Sequence, residues 1–351
     1  MEIKVLIRTE QDLIESKGEI ADAIKLRLGE KLFQCDGNER LRMVFDLQTH
    51  LGFLGEAVRC NVPHIFIEYA LWTHELLVTC GGVSQHFKDC LLAIRAEIQA
   101  SGSGDWTQTA IYYLEDALNQ MEVQRPISKS YLSAENPYNT LAETFLNECL
   151  NLNRNEVLEA VQTAVNGGVP VADIYQYVIT PVMHELGRMW HLNQITIGQE
   201  HYCTAVAQMV MSQLFPWIFD GNLKKKRLVS TCVAGELHEI GARMVSDLFE
   251  MNGWDTVFIG ADVPIESVID TLVQHNADVL AISATLGCNL SAVSNMIAMV
   301  KQHPACKKIK VLVGGAALNI DSSLWQCLGA DGWAEDARTA IALANSWCIR
   351  S

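Results

Sequence analysis

Between residue 227 and the carboxyl terminus the chain switches repeatedly between two periods, and no other sequence feature narrows its folds as far. Short β-branched runs at residues 227–234, 256–259, 279–283 and 310–313 alternate with helical segments such as 241–251 and 290–301. Strands joined through helices at this interval predict a parallel sheet wrapped by helices. Such sheets bind ligands beyond the carboxyl ends of their strands. The loops after Ala234, Ile259, Ser283 and Val313 are therefore the expected seat of chemistry.

The rest of the chain reads as helical. Over residues 12–122, Leu41, Val44, Phe45, Gln48 and Leu51 step round one face, and Ile65, Tyr69, Trp72 and Leu76 recur three and four apart. Gly81-Gly82 and Ser101-Gly102-Ser103-Gly104 mark breaks between helices. Residues 123–139 hold two prolines and no periodicity, as a linker would. Four helical segments follow over 140–219, with Gly167-Gly168 closing the second, and short connections predict an up-down bundle. The expected division is a helical region at 1–125, a linker at 126–139, a four-helix bundle at 140–222 and an α/β domain at 223–351. The fold class is thus α/β plus all-α.

Composition excludes several function classes. In 351 residues, 26 Lys and Arg face 41 Asp and Glu, a formal net charge of −15. Nucleic-acid binders need clustered cations to neutralise phosphates, and the one basic run is Lys224-Lys225-Lys226-Arg227. No apolar stretch approaches the roughly 20 residues that span a bilayer. Met1 to Glu10 carries charges where a signal peptide has its apolar core. Eleven scattered cysteines without a C-x-x-C pair fit a reducing compartment, so a cytoplasmic location is expected.

The first strand-end loop reads Gly235-Glu236-Leu237-His238-Glu239-Ile240-Gly241. A carboxylate bonded to one ring nitrogen fixes the tautomer of a histidine and makes the other nitrogen a better metal ligand. Gly241 would let the next helix approach a bulky planar group. Taken alone, His238 reads equally well as a surface histidine. Ser283-Ala284-Thr285-Leu286 after the third strand and Gly314-Gly315 after the fourth leave room for a long group along the sheet edge. Glu-x-His-x-x-Gly, Ser-x-x-Leu and Gly-Gly in this order resemble the cobalamin-binding Rossmann-like domain, and residues 329–337 resemble its closing strand and helix. The resemblance implies His238 as the lower cobalt ligand, displacing the cofactor's own dimethylbenzimidazole, with Glu236 as its hydrogen-bonding partner. It also implies a slot for the displaced nucleotide tail, lined by Ser283, Thr285, Gly314 and Gly315.

In the bundle, Met189-Trp190-His191 ends the third helix, and Glu200-His201 lies early in the fourth. Each alone reads as an ordinary bundle residue, with His191 favourably placed at a helix end. A Trp followed after nine residues by Glu-His is similar to the cap of adenosylcobalamin photoreceptors of the CarH type. That resemblance implies Trp190, Glu200 and His201 at the upper, adenosyl face, and His191 as the upper cobalt ligand after illumination. His184 is expected at the surface.

Those photoreceptors begin with a DNA-binding domain, whereas no basic helix stands in the first hundred residues here, so direct nucleic-acid binding is not expected. Residues 46–57 and 65–72 instead resemble the helical leader of stand-alone cobalamin sensors, some of which, the photocobilins, hold a bilin there. On that resemblance His50, Tyr69, Trp72 and His74 would line a biliverdin pocket; a helical core or dimer interface reads equally well. Cys35, Cys60, Cys80 and Cys90 are thiols in the same region, and none has the context of a reactive thiolate.

Two functions are in contention. The first is a non-enzymatic light sensor that uses adenosylcobalamin, with biliverdin as a second chromophore, to change its own assembly or a protein partner's binding. The alternative is a corrinoid methyl carrier of a methyltransferase system. Trp190-His191 argues for the sensor, because a histidine ready to ligate cobalt would quench a cobalt nucleophile. A storage or trafficking protein would not need these cap residues.

Overall fold

Strand residues alternate between two buried faces, which sets the layering of the carboxyl-terminal half. In the computed structural model, β1 (Arg227–Cys232), β2 (Asp255–Phe258), β3 (Val279–Ser283), β4 (Lys310–Gly314) and β5 (Gly332–Trp333) form one sheet in the order β2-β1-β3-β4-β5. All four pairings are parallel, with Val229 opposite Val257 and Leu280, and Ser283 opposite Gly314. Leu228, Val279, Ala281 and Leu312 point to a face shared with Phe249, Trp254 and Ala344. Val229, Leu280, Ile282 and Val313 point to the other, shared with Leu272, Val293 and Ile297. The α/β class expected from the alternation is what forms.

The residues described are 9–28, 37–79, 84–123, 129–218 and 226–348. Gly81-Gly82, Cys35, Cys80, Lys224-Lys225 and the side chains of Leu41, Val44 and Phe45 lie outside them.

The amino-terminal part runs through α1 (Glu10–Glu15), α2 (Lys17–Leu28), α3 (Gly37–Cys60), α4 (His64–Thr79), α5 (Ser84–Ser101) and α6 (Trp106–Gln120). It does not stand apart from the sheet. Leu51, Leu54, Ile65 and Phe66 share one buried cluster with the β-sheet residues Val229, Leu280 and Val311. At the seam, a side chain on Gly287 would meet Ile65 at 3.0 Å and Phe53 at 3.2 Å, so the backbone there is pressed against α3 and α4. Fully buried Glu56 of α3 accepts a 2.7 Å bond from the Ser291 amide at the start of α13 (Leu290–Gln302). It also holds the Arg59 guanidinium at 2.8 and 2.9 Å. A helix N-terminus favours an anion, which explains a carboxylate buried between two layers.

The bundle is α7 (Asn139–Leu150), α8 (Arg154–Asn166), α9 (Thr180–His191) and α10 (Ile197–Gln213). A helical turn, Val171–Asp173, and a π-helical stretch, Ile174–Ile179, lead into α9. Pro181 explains that bulge, because it has no N–H for the carbonyl four residues back. That carbonyl, of Tyr177, accepts from Asn136 at 2.6 Å instead. The bulge carries Tyr175, whose hydroxyl donates to Asp247 at 2.7 Å and ties the bundle to α11 (Ile240–Met251). Ile240, Met244 and Leu248 of α11 pack on the bundle core, so α11 lies between bundle and sheet. Further helices of the α/β layer are α12 (Ile265–His275), α14 (Leu324–Leu328) and α15 (Ala337–Cys348). Among the described residues, no helix is long and apolar enough to cross a membrane.

Candidate corrinoid site

The strand order reverses at β1, whose neighbours are β2 on one side and β3 on the other. A crevice opens at such a switch point, beyond the strand ends. The loop after β1 carries Glu236 and His238, and the loop after β3 carries Thr285, Leu286 and Asn289. Gly235 takes φ +81° and Gly315 takes φ +101°, so both tight exits from the sheet need glycine.

Glu236 is fully buried and saturated. One oxygen accepts from the Thr285 amide at 2.8 Å, the Leu286 amide at 3.0 Å and Asn289 Nδ2 at 3.2 Å. The other accepts from the His238 amide at 3.1 Å and from His238 Nδ1 at 2.5 Å. Burial alone would raise this carboxyl, but the bonds from His238 and the two amides outweigh it and hold it at about 2. With Glu236 ionised, Nδ1 carries the ring proton of neutral His238, and the Nε2 lone pair is left for a ligand. The His238 side chain is 58% exposed, so that nitrogen is accessible. The Glu236 bond also raises the His238 pKa, against the effect of burial.

The remaining walls suit a large flat group with a tail. A Cβ on Gly241 would meet nothing within 4 Å, which leaves open space above the start of α11. Ser283 and Thr285 are half-buried at the end of β3. A Cβ on Gly314 would meet the Ala334 carbonyl at 2.9 Å, and one on Gly315 the Ala284 carbonyl at 2.4 Å. These chain segments run so close that only glycine fits between them. The residues present fit a cobalt corrinoid: one accessible imidazole, its tautomer fixed, and a glycine-lined edge beside it.

On the bundle side, α10 borders the crevice. Gln208 of α10 donates to Glu239 at 2.8 Å, next to His238, and the Glu200 carboxylate is close enough to help raise the His238 pKa. Glu200 accepts from His201 Nδ1 at 2.6 Å and from the Thr204 hydroxyl at 2.8 Å. His201 itself is exposed. Trp190 is half-buried on the edge of the bundle core. His184 is at the surface, as expected.

His191 packs against the amino-terminal helices. It is buried, its ring stacks on Trp72 of α4 at 4.8 Å, and its Nε2 meets Glu75 at 3.0 Å. Its carbonyl accepts from the Thr79 hydroxyl at 2.9 Å, and Trp190 lies 6.1 Å from Trp72. Trp72, Glu75 and Thr79 are spaced three and four apart and form one face of α4, a stripe visible in the sequence but read there only through Trp72. The structure thus latches the cap corner to the amino-terminal helices.

The four residues expected to line a bilin pocket do not converge. His50 and Tyr69 are bonded to each other at 2.6 Å inside the helical core, beside Phe53 and Phe87. Trp72 turns to the cap instead, and His74 lies near Lys88 and Glu122. Of the cysteines, Cys90 is buried and Cys60 is half-buried. The reason is packing: His50 neutral, accepting from the Tyr69 hydroxyl, is a satisfied core residue. Burial pushes its pKa down to about 3, so the unfolded chain takes up this proton below about pH 6.5 while the folded one does not. Stability should therefore fall as pH drops from about 6.5 towards 3, by roughly 1 kcal/mol per pH unit. Urea unfolding at pH 7 and pH 5 should show that loss, and His50→Gln should flatten it; an unchanged slope would contradict a buried neutral imidazole.

Fold and crevice together define a B12-binding protein. The B12 binding domain family matches residues 226–342, and a second B12 binding domain family matches residues 141–214. The chain is similar to dimethylamine corrinoid protein 3 of Methanosarcina acetivorans, 29% identical over 200 residues, 56% of this chain and 91% of that protein. It is 33% identical to dimethylamine corrinoid protein 3 of Methanosarcina mazei over 119 residues, 34% of this chain and 70% of that protein. The solved monomethylamine corrinoid protein of Methanosarcina barkeri shares the fold, with TM-score 0.53 and 22% identity over 60% of this chain and 99% of that one. The chain belongs to the corrinoid protein family.

Proposed function

We propose that this corrinoid protein is a light sensor that holds adenosylcobalamin with His238 below the cobalt and the Trp190–His191 corner above it. The observation that carries the proposal is the latch of Trp72, Glu75 and Thr79 on His191, which joins the Trp190–His191 corner to helices outside both B12 binding matches. Adenosylcobalamin, when bound, would supply a cobalt–carbon bond that visible light breaks. The protein's part is to respond. With the adenosyl group gone, Trp190 would lose a packing partner, and His191, whose imidazole suits a transition metal, would be the residue to give up Glu75 and hold the cobalt. Glu75 is about a third exposed, so its bond to His191 is worth only about 1–2 kcal/mol, small enough for a coordination bond to outweigh. Loss of the latch frees the face of α4 to change self-assembly or the binding of a protein partner. The division at residues 125, 139 and 222 belongs to the same proposal, with 140–222 as the moving cap.

Green light on the adenosylcobalamin-loaded protein should convert its visible spectrum irreversibly to that of a bis-histidine species. His191→Ala should keep dark binding and change the lit spectrum, while Glu75→Gln should speed formation of the lit species. An unchanged spectrum on illumination would sink the proposal.

A second reading is the methyl carrier of a methyltransferase system. The relatives are named as dimethylamine and monomethylamine corrinoid proteins, and they favour the carrier over the sensor. Methyl transfer from the methylcobalamin-loaded protein to a thiol acceptor, with a partner methyltransferase, would decide for it. Biliverdin as a second chromophore belongs to the sensor proposal; red absorbance after adding biliverdin would support it, and none would count against it.

A further inference from the structure

Two thiols far apart in the chain meet where the amino-terminal helices join the α/β layer. Cys60 ends α3, and Cys327 sits in α14 just before β5. Their Sγ atoms are 2.7 Å apart, well inside the usual spacing of non-bonded sulfurs. A disulfide would require them to close by only about 0.7 Å. Arg59 Nη1 lies 3.8 Å from Cys327 Sγ, and the same guanidinium is pinned by buried Glu56, which fixes the cation beside the sulfur. Cys327 is exposed and Cys60 half-buried, so one sulfur faces solvent and the other stands behind it. By contrast, the neighbouring thiols of Cys149 and Cys203 are buried in the bundle core.

We propose that Cys60 and Cys327 form a peroxide-responsive pair whose oxidation covalently staples the amino-terminal helices to the corrinoid-binding layer. Cys327 is the sulfur open to solvent and has the Arg59 guanidinium beside it, and the bond from Cys60 together with Arg59 lowers its pKa against the effect of burial, so Cys327 is the nucleophile. Burial and the bond to Cys327 push Cys60 up, so it stays a thiol until the second step. The Cys327 thiolate attacks one oxygen of hydrogen peroxide, the O–O bond breaks, and the departing hydroxide takes up the proton that the Cys327 thiol had released. Cys327 is then a sulfenic acid. The Cys60 sulfur attacks Cys327 Sγ, the S–O bond breaks, and the Cys60 proton leaves with that hydroxide as water. Two thiols lose two electrons and two protons, and one peroxide becomes two waters.

The chemistry does not depend on what the corrinoid is used for. Full-length protein treated with stoichiometric hydrogen peroxide, blocked with N-ethylmaleimide and digested should give the Cys60 peptide joined to the Cys327 peptide. The intact mass should fall by two hydrogens, and dithiothreitol should reverse both changes. Cys327→Ser should abolish the cross-link, and Cys60→Ser should leave a Cys327 sulfenic acid that dimedone traps. Cys149→Ser, in the buried pair, should change neither result. Corrinoid binding by each variant shows that it is folded. Free alkylation of both thiols after peroxide, or a cross-link that survives Cys60→Ser, would overturn the proposal.

Discussion

Glu236→Ala is expected to weaken corrinoid binding by about 10–100-fold, although Glu236 itself reaches no ligand. The carboxylate sets the His238 tautomer through Nδ1 and joins the loop after β1 to the loop after β3 through the Thr285 and Leu286 amides. Without it, His238 turns freely and presents either nitrogen. The two amides and Asn289 lose their acceptor inside the fold, and stability should fall by about 3 kcal/mol. Glu236→Gln keeps one acceptor oxygen for the amides but places an NH2 group against Nδ1. It should recover most of the stability and little of the affinity. Titration with hydroxocobalamin, followed by absorbance and combined with urea unfolding, separates the two effects. If Glu236→Ala bound the corrinoid as tightly as the native protein, the proposed role of the pair would be wrong.

The second large effect is expected at Gly315. Its φ of +101° and the 2.4 Å approach of a Cβ to the Ala284 carbonyl oppose any side chain, and the obstacle is backbone rather than a flexible tip. Gly315→Ala should cost about 2–4 kcal/mol, from the strained conformation together with the displaced β3–β4 exit. Since Ala317 also donates to the Ala284 carbonyl at 3.2 Å, the shift should spread along the edge proposed for the nucleotide tail. Thermal unfolding without cofactor isolates the structural part. A Gly315→Ala protein with native stability and native affinity would contradict the close packing of this edge.

Local patterns carried much of the fold. The β-branched runs matched the strands to within a residue or two, because buried parallel strands impose their composition directly. Residues 279–283 coincide with β3. The loop after β1 was legible for the same reason: strand-end position and residue type together marked Glu236 and His238. What the sequence did not convey depends on contacts between distant segments. Nothing near Glu56 points to the Ser291 amide, and nothing near Cys60 points to Cys327. Glu75 and Thr79 carried a helical stripe with Trp72, but only the packed structure showed that it meets His191. Polar and aromatic residues on neighbouring helices can also make a satisfied core, as His50 and Tyr69 do, and the sequence alone does not separate that from a ligand pocket. The π-helical stretch had a local signal in Pro181, whose effect depended on Asn136 reaching the Tyr177 carbonyl.

The most direct test is electron paramagnetic resonance of the protein loaded with cob(II)alamin after growth on ¹⁵N-histidine. If His238 Nε2 is the lower ligand, the nitrogen splitting of the cobalt lines should change from a triplet to a doublet with the label, and His238→Ala should abolish the doublet. A triplet that persists in labelled protein would mean that dimethylbenzimidazole still holds the cobalt, which would contradict the account at its base.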